Sequence, residues 1–240
     1  MLSKKIRKTI LFSNLNLFLQ PKGFVLRDNS NDPRFISKIE NGVVYIYFNF
    51  DNSGSIYSSG LLTSLNEIEE IIIETGTPNL NIETPNNKDY YFINTLKDKS
   101  FEIIFNEKYR HYSFKSETEM QEFSEWLISY INTKGFAFVE HYSFLPNVLA
   151  KMNQLMDDGT YWNGILSGLA DYLFRGLIIS KLCNDPDFNN KITYCDKKLS
   201  SRESLSEWLP YYEKLKHKLS TLEPKYNAED GRVLNLEDIV

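Results

Sequence analysis

The chain has 240 residues, of which 42% are hydrophobic and 14% aromatic, and this apolar content excludes an intrinsically disordered or fibrous protein. Its 27 basic and 32 acidic residues give a net charge of -5, and such a weakly negative field excludes a general nucleic-acid-binding protein. The length fits one large domain or two smaller halves that share an interface, and we favour two packed halves.

The first predicted element is an amphipathic helix at residues 3–20. Apolar side chains recur along it at near-helical spacing, and Pro21 followed by Gly23 ends it. Basic residues before the apolar run imitate a secretory signal, but Asn14 and Asn16 interrupt that run and no small-residue cleavage site follows. No stretch is apolar for the roughly eighteen residues that a bilayer requires. We therefore expect a cytoplasmic protein without membrane association.

Strand-like alternation follows this helix. Residues 34–40 and 43–50 have a period of two, and Asn41 and Gly42 between them predict a hairpin with a type I′ turn, because both central residues of that turn need a positive φ. A further turn leads into a short predicted strand near residues 55–59. These segments indicate an antiparallel sheet.

A second helix is predicted at residues 64–75, where Ser64 and Glu67 form a capping box and Gly76 ends the apolar periodicity. Residues 71–73 would also suit a strand, but the capping signals favour a helix. Three aromatic-rich segments then predict a meander of antiparallel strands: 89–94, 101–106 and 109–114.

The remaining chain is predicted to be mostly helical. Ser116 and Glu119 form another capping box, which opens a helix with one apolar stripe, namely Met120, Phe123, Leu127 and Tyr130. Four more helical segments follow: 146–156, 160–183, 187–199 and 201–222. Pro210 predicts a break in the last of these, because proline fits only the first turn of a helix.

These elements predict an α+β fold. Residues 1–115 supply a helix and an antiparallel sheet, and residues 116–240 supply a mainly helical region. We expect the first helix and the 64–75 helix to pack against the sheet. The two regions are expected to share one core.

The patterns that build metal or cofactor sites are missing from the sequence. His111, His141 and His217 lie far apart, and none has a second ligand at zinc spacing. Cys183 and Cys195 fit neither a metal site nor a disulfide-rich secreted domain, and so indicate a reducing compartment. Glycine-rich phosphate loops and a nucleophile elbow do not occur. We therefore expect no metal and no cofactor.

Glutamate clusters are the most informative feature for function. Two predicted helices each carry four glutamates, namely Glu67, Glu69, Glu70 and Glu74 on one and Glu117, Glu119, Glu122 and Glu125 on the other. Each group offers either general acid–base side chains or a docking surface for a basic protein partner. We favour docking, with Glu67, Glu70, Glu74, Glu119 and Glu122 as the candidate partner-binding residues. The structural alternative is that acids near a helix N-terminus interact with the helix dipole, and that an acidic exposed face is ordinary. Neighbouring glutamates on a helix do not supply the opposed carboxylates of paired acid catalysis.

Tyrosines of the predicted strands form a second candidate surface, because tyrosine combines a large rigid area with a polar tip. Tyr45 and Tyr47 are candidate partner-binding residues in the first hairpin. Four similar tyrosines follow along the chain: Tyr90, Tyr91, Tyr109 and Tyr112. If helices cover one face of the sheet, some of these rings belong to the core or its rim instead. The sequence leaves that choice open.

Two segments carry a family resemblance. Residues 178–188 (IISKLCNDPDF) and 211–215 (YYEKL) resemble the C-terminal helical part of uncharacterised bacterial α+β domains. Gly23 and Phe24, which follow an amphipathic helix and precede a hairpin, are similar to the opening of the same domains. Some such domains resemble immunity or accessory proteins of bacterial toxin systems. The resemblance implies no functional residue in this chain.

We therefore predict a non-enzymatic protein that binds a basic protein partner, with an immunity-like role as the concrete form. The competing hypothesis is an enzyme whose pocket is formed by His111 or His141 with nearby tyrosines. A third hypothesis is a subunit of an assembly, which predicts an exposed apolar patch and self-association.

Overall fold

The structure is a computed structural model that describes residues 2–28, 33–80 and 94–235. Contacts divide the chain into two compact units. The first comprises Met1–Thr63, Asp98–Val139 and Asn235–Val240, and the second comprises Ser64–Lys97 and Glu140–Leu234. Each unit is therefore assembled from more than one stretch of chain, and each is considered over its described residues.

The described elements confirm the α+β class. The antiparallel sheet has the order β1-β2-β3-β4-β5. Its strands are β1 (Val25–Arg27), β2 (Arg34–Ile39), β3 (Gly42–Phe50), β4 (Ile56–Leu65) and β5 (Leu96–Lys97). The helices are α1 (Lys4–Leu19), α2 (Asn66–Thr75), α3 (Lys99–Lys108), α4 (Glu117–Tyr130), α5 (Phe136–Tyr142), α6 (Leu145–Asp157), α7 (Asp171–Leu182), α8 (Phe188–Ser200) and α9 (Leu209–Thr221).

The first hairpin forms where it was predicted, but its turn is of another type. Ile39 pairs with Gly42, so the loop consists of Glu40 and Asn41, and Gly42 is already the first residue of β3. Among the described residues, Asn184 is the only non-glycine with a positive φ, and Gly42 does not have one either. The type I′ prediction is therefore wrong, because the register places the glycine in the strand.

Helix α1 packs on the sheet of the first unit. It begins at Ser3, whose hydroxyl accepts a hydrogen bond from the Ile6 amide at 3.3 Å. The Phe12 ring lies 6.0 Å from that of Phe35 and 5.7 Å from that of Phe50, both in edge-to-face geometry. This aromatic layer buries the inner face of the hairpin.

The predicted strands at 101–106 and 109–114 are wrong. Residues 101–106 lie in helix α3, which begins at Asp98, and the Asp98 carboxylate accepts a hydrogen bond from the Phe101 amide at 3.0 Å. Phe101 and Phe105, four residues apart, are buried, whereas Ile103 is 46% exposed. That burial pattern has the period of a helix, since a strand would bury all three side chains together. The predicted strand 89–94 lies almost wholly outside the described residues.

The capping box predicted at Ser64 is also wrong. Ser64 belongs to β4, and α2 begins only at Asn66. The N-cap position is occupied by Leu65, which has an extended backbone and makes no capping hydrogen bond through its side chain. The helix itself and its end at Gly76 agree with the prediction. Ser64 fails as a cap because β4 continues through it.

In the second unit, helix α7 is buried along most of its length and contacts α2, α6, α8 and α9. The predicted helix 160–183 is wrong in its first half, because Gly168 has a φ of +117° and α7 begins only at Asp171. The helices predicted at 146–156 and 187–199 are confirmed. Pro210 lies in the first turn of α9, after a short 3-10 helix, as predicted. Among the described residues, no helix is long and apolar enough to cross a membrane.

Candidate functional site

The N-terminus of α4 fixes the position of one predicted glutamate. The Ser116 hydroxyl accepts a hydrogen bond from the Glu119 amide at 3.2 Å. In return, the Glu119 carboxylate accepts bonds from the amides of Lys115 at 2.6 Å and Ser116 at 3.4 Å. The predicted capping box is therefore confirmed. These amide hydrogen bonds hold the pKa of Glu119 below its ordinary value, so its carboxylate is ionised at neutral pH.

An aromatic layer lies beside this capping box. The Tyr109 ring lies 4.7 Å from Phe123 and 4.7 Å from Trp126, which both belong to α4. Tyr112 packs on Phe114 with ring centroids 5.0 Å apart. Because Phe114 and Phe123 are fully buried, they hold the more exposed Tyr109, Tyr112 and Trp126 rings in fixed positions.

We define the acidic–aromatic surface as Tyr109, Tyr112, Glu119, Glu122 and Trp126. Tyr112 is 41% exposed, Tyr109 and Trp126 are half-buried, and Glu122 is exposed. Partial burial and the neighbouring Glu119 carboxylate raise the pKa of Tyr112, and burial together with Tyr112 and Glu122 raises that of Tyr109. The surface therefore combines rigid phenol and indole rings with negative charge.

The glutamates predicted on the other helix are placed differently. Glu67 accepts hydrogen bonds from the Tyr226 hydroxyl at 3.0 Å and from the Lys225 ammonium at 3.3 Å. The carboxylate of Glu74 accepts from Lys218 Nζ at 2.6 Å. Glu70 is exposed. All three belong to the second unit, whereas Glu119 and Glu122 belong to the first, so they are two separate groups.

The predicted tyrosines of the hairpin are mostly inside. Tyr45 is 3% exposed and Tyr47 is half-buried. Gly60 lies against the Tyr47 ring so closely that a Cβ there would come within 2.5 Å of it. The open choice is therefore decided by burial, with Tyr45 in the core and Tyr47 at its rim. Tyr90 and Tyr91 lie outside the described residues.

A buried ionic network occupies the second unit. Arg175 Nε donates to Glu69 Oε1 at 2.8 Å and its Nη2 donates to Oε2 at 2.9 Å, a bidentate arrangement. Arg175 Nη1 also pairs with Asp171, which lies four residues earlier on α7. The Thr95 hydroxyl donates to Glu69 Oε1 at 2.6 Å and accepts from the Leu65 amide at 2.8 Å. Burial lowers the pKa of Arg175, but the two carboxylates outweigh it and raise that pKa.

The sequence places Glu69 in the acidic cluster of α2 but not among the candidate partner-binding residues, and it points to neither Thr95 nor Trp126. Glu69 follows Leu65 by four residues and precedes Ile72 by three, so it lies on the apolar stripe of α2, and that position signals a buried acid. Trp126 follows Glu122 by four residues and shares its helix face. No local pattern identifies Thr95.

The histidines have three different environments. His111 follows α3 and lines a polar pocket with Asp51 and Tyr57. The Nε2 atom of His141 lies 2.8 Å from the Arg232 carbonyl oxygen. This nitrogen therefore contacts the backbone near the C-terminus and not a carboxylate. His217 is exposed on α9. Within the described part of the chain, no group of three metal-ligating side chains occurs.

Comparisons with known proteins give no relative. No protein-family model, no curated protein and no solved structure matches this chain.

Proposed function

We propose that this protein is a non-enzymatic, cytoplasmic binding protein, immunity-like or accessory in role, whose acidic–aromatic surface engages a basic protein partner. The observation that carries the proposal is the position of Tyr112 and Glu122. Both are exposed beside Tyr109 and Trp126, whose rings lie against each other and against the buried Phe123 of α4.

The chemistry of this surface suits lysine and arginine side chains of a partner. Tyrosine and tryptophan are enriched among residues that dominate binding energy, since they offer a large area at a small cost in conformational entropy. Ionised Glu119 and Glu122 would attract cations and orient the encounter. A cation that lies over the Tyr112 or Trp126 ring would also interact with its π face. The net charge of -5 favours the same encounter at low salt.

The test compares two charge reversals in the tagged full-length protein. Glu122→Lys places a cation in the proposed surface. Glu40→Lys makes the same change in the exposed hairpin loop of the same unit, and serves as the matched control. We expect one stoichiometric basic protein to co-purify with the wild type and with Glu40→Lys, but not with Glu122→Lys. We also expect its recovery to fall as salt rises, because screening weakens exposed charge pairs.

Tyr112→Ala adds a test of the aromatic part, with Tyr57→Ala as its control, because Tyr57 is similarly exposed. Loss of the partner in Tyr112→Ala alone would support a contact at the proposed surface. Equal recovery of the partner with all four variants would refute the proposal. Loss of the partner with both Glu40→Lys and Glu122→Lys would show that the effect depends on net charge and not on the proposed surface.

A further inference from the structure

A polar pocket of about 340 Å³ lies in the first unit, between the turn that joins β3 to β4 and the segment that follows α3. This volume is at the lower end of the range for small-molecule sites. Every side chain around it carries a polar group: Asp51, Ser53, Ser55, Tyr57, Arg110, His111 and Ser113. None of these residues belongs to the acidic–aromatic surface.

The turn side of the pocket is held by a buried arginine. Arg7 of α1 is fully buried and donates to the carbonyl oxygens of Asp51 and Ser55. The Asp51 carboxylate accepts from the Ser55 amide at 2.8 Å, from the Ser53 hydroxyl at 2.6 Å and from the Ser55 hydroxyl. Its Oδ1 also lies 3.9 Å from Arg7 Nη1. The hydrogen-bonding capacity of the Asp51 carboxylate is therefore filled largely by residues of its own turn.

The opposite side is fixed to the same turn. The Tyr112 amide donates to the Tyr109 carbonyl at 3.0 Å, which closes the chain tightly around Arg110 and His111. The Ser113 hydroxyl donates to the Ser53 carbonyl at 3.2 Å, and the Phe114 amide donates to the Gly54 carbonyl at 3.0 Å. Because these bonds join the two sides, the pocket is formed before any ligand binds.

Three of the lining side chains are solvent-exposed and carry hydrogen-bond donors. Arg110 and His111 are exposed, and the Tyr57 side chain is 49% exposed. Arg110 offers the planar fork of N–H groups that suits phosphate and carboxylate oxygens. Since the charge of Arg7, 3.9 Å away, offsets that of Asp51, the charge of Arg110 leaves the pocket positive on a protein of net charge -5.

We propose that this pocket binds a small phosphate monoester, with the phosphate oxygens accepting hydrogen bonds from Arg110, His111 and the Tyr57 hydroxyl. A phosphate suits three donor groups better than a carboxylate does, because it presents three terminal oxygens and carries about two negative charges. The serine hydroxyls around the pocket would form hydrogen bonds with hydroxyl groups of the esterified part of the ligand. This site is independent of the proposed protein-binding function.

Calorimetric titration of the full chain tests the proposal. The probes are glycerol 3-phosphate, inorganic phosphate and, as the uncharged comparison, glycerol. We expect glycerol 3-phosphate to bind and glycerol not to bind. Arg110→Gln should weaken the ester by about tenfold or more, because a charge-assisted bidentate contact is lost. The matched control is Lys108→Gln, which removes the same charge two residues away at the exposed end of α3, and it should change the affinity by less than about twofold.

Each outcome has a defined meaning. Similar binding of inorganic phosphate, with the same dependence on Arg110, would support the phosphate contact and identify free phosphate as a sufficient ligand. Absence of binding at about 10 mM of either phosphate would overturn the proposal. Equal weakening by Arg110→Gln and Lys108→Gln would also overturn it, because general charge would then explain the binding. Glu122→Lys should leave this titration unchanged, so the failure of one proposal is distinguishable from the failure of the other.

Discussion

Helices α2 and α4 look alike in sequence and differ in what their glutamates do. Each carries four glutamates: Glu67, Glu69, Glu70 and Glu74 on α2, and Glu117, Glu119, Glu122 and Glu125 on α4. On α2, three of the four bind side chains from distant parts of the chain. On α4, Glu119 caps its own helix, while Glu117, Glu122 and Glu125 are exposed.

The difference teaches that the number of glutamates on a helix does not show whether they stabilise the fold or remain free to bind a partner. The cations that pair with the carboxylates of Glu74 and Glu67 are Lys218 and Lys225, which lie 144 and 158 residues further along the chain. The charge of α4 remains on the surface next to exposed rings. We therefore place the proposed partner site on α4 and assign α2 mainly to stability.

The strongest test of this contrast is Arg175→Met. The substitution leaves the Glu69 and Asp171 carboxylates buried without their cation, so we expect the free energy of unfolding to fall by about 3–5 kcal/mol. Arg202→Met makes the same change at an exposed position of the same unit, and should cost less than about 0.5 kcal/mol. Urea unfolding of both variants at neutral pH measures the two values. A loss below about 1 kcal/mol in Arg175→Met would contradict the structural role of the network.

Asp98 sharpens the comparison, because it is a buried acid without a cation. Its carboxylate accepts hydrogen bonds from the Phe101 amide and, at 3.0 Å, from the Tyr130 hydroxyl. Burial outweighs these bonds and raises the pKa of Asp98 from 3.8 to about 6. Because the folded pKa lies above the unfolded one, ionisation of Asp98 destabilises the fold. This penalty is absent below the unfolded pKa, grows as pH rises from the unfolded pKa to the folded pKa, and is complete above the folded pKa.

The measurement compares wild type with Asp98→Asn at two pH values. Asparagine keeps the helix cap but cannot ionise. From about pH 4 to about pH 7, the stability of Asp98→Asn should therefore rise relative to wild type by about 2 kcal/mol. The same comparison with Glu70→Gln, an exposed acid, should show a difference below about 0.5 kcal/mol. A pH-independent difference between wild type and Asp98→Asn would show that Asp98 is ionised without cost.

Much of the fold could be predicted, and α4 shows why. Its capping box and its apolar stripe of Met120, Phe123, Leu127 and Tyr130 signal the same helix independently, and all four stripe residues are buried. Helix α3 could not be predicted in this way. Phe101, Ile103 and Phe105 satisfy a period of two, which outweighs the local signal of Asp98 as a helix cap. The exposure of Ile103, which distinguishes the helix from a strand, is known only from the fold.

The candidate site could be predicted only in part. The glutamates of α4 were selected from sequence, but so were those of α2, because local spacing does not show which cations face an acid in the fold. Tyr45 was selected because its strand alternates, yet β3 is buried on both faces. His111 was considered as a pocket residue, whereas its neighbour Arg110 and the distant Asp51 join it only through tertiary structure.

A smaller effect is expected at Glu67. Glu67→Gln removes the charge that receives bonds from Tyr226 and Lys225, while the amide oxygen can still accept one of them. Because Lys225 is largely exposed and Glu67 partly so, we expect a loss of only about 0.5–1 kcal/mol in the free energy of unfolding. Urea unfolding beside Glu70→Gln measures it. A loss comparable to that of Arg175→Met would place Glu67 in the buried network instead.

The smallest stability effect is expected where the functional effect is largest. Glu122 is exposed on α4 and is not part of its capping box, so Glu122→Lys should change the free energy of unfolding by less than about 0.5 kcal/mol. The same variant should lose the basic partner, since a cation would then face the partner's cations across the Tyr112 ring. Urea unfolding and partner recovery, measured on one preparation, separate the two effects. Parallel loss of both stability and partner would mean that Glu122 supports the fold, and the contrast between α2 and α4 would then fail.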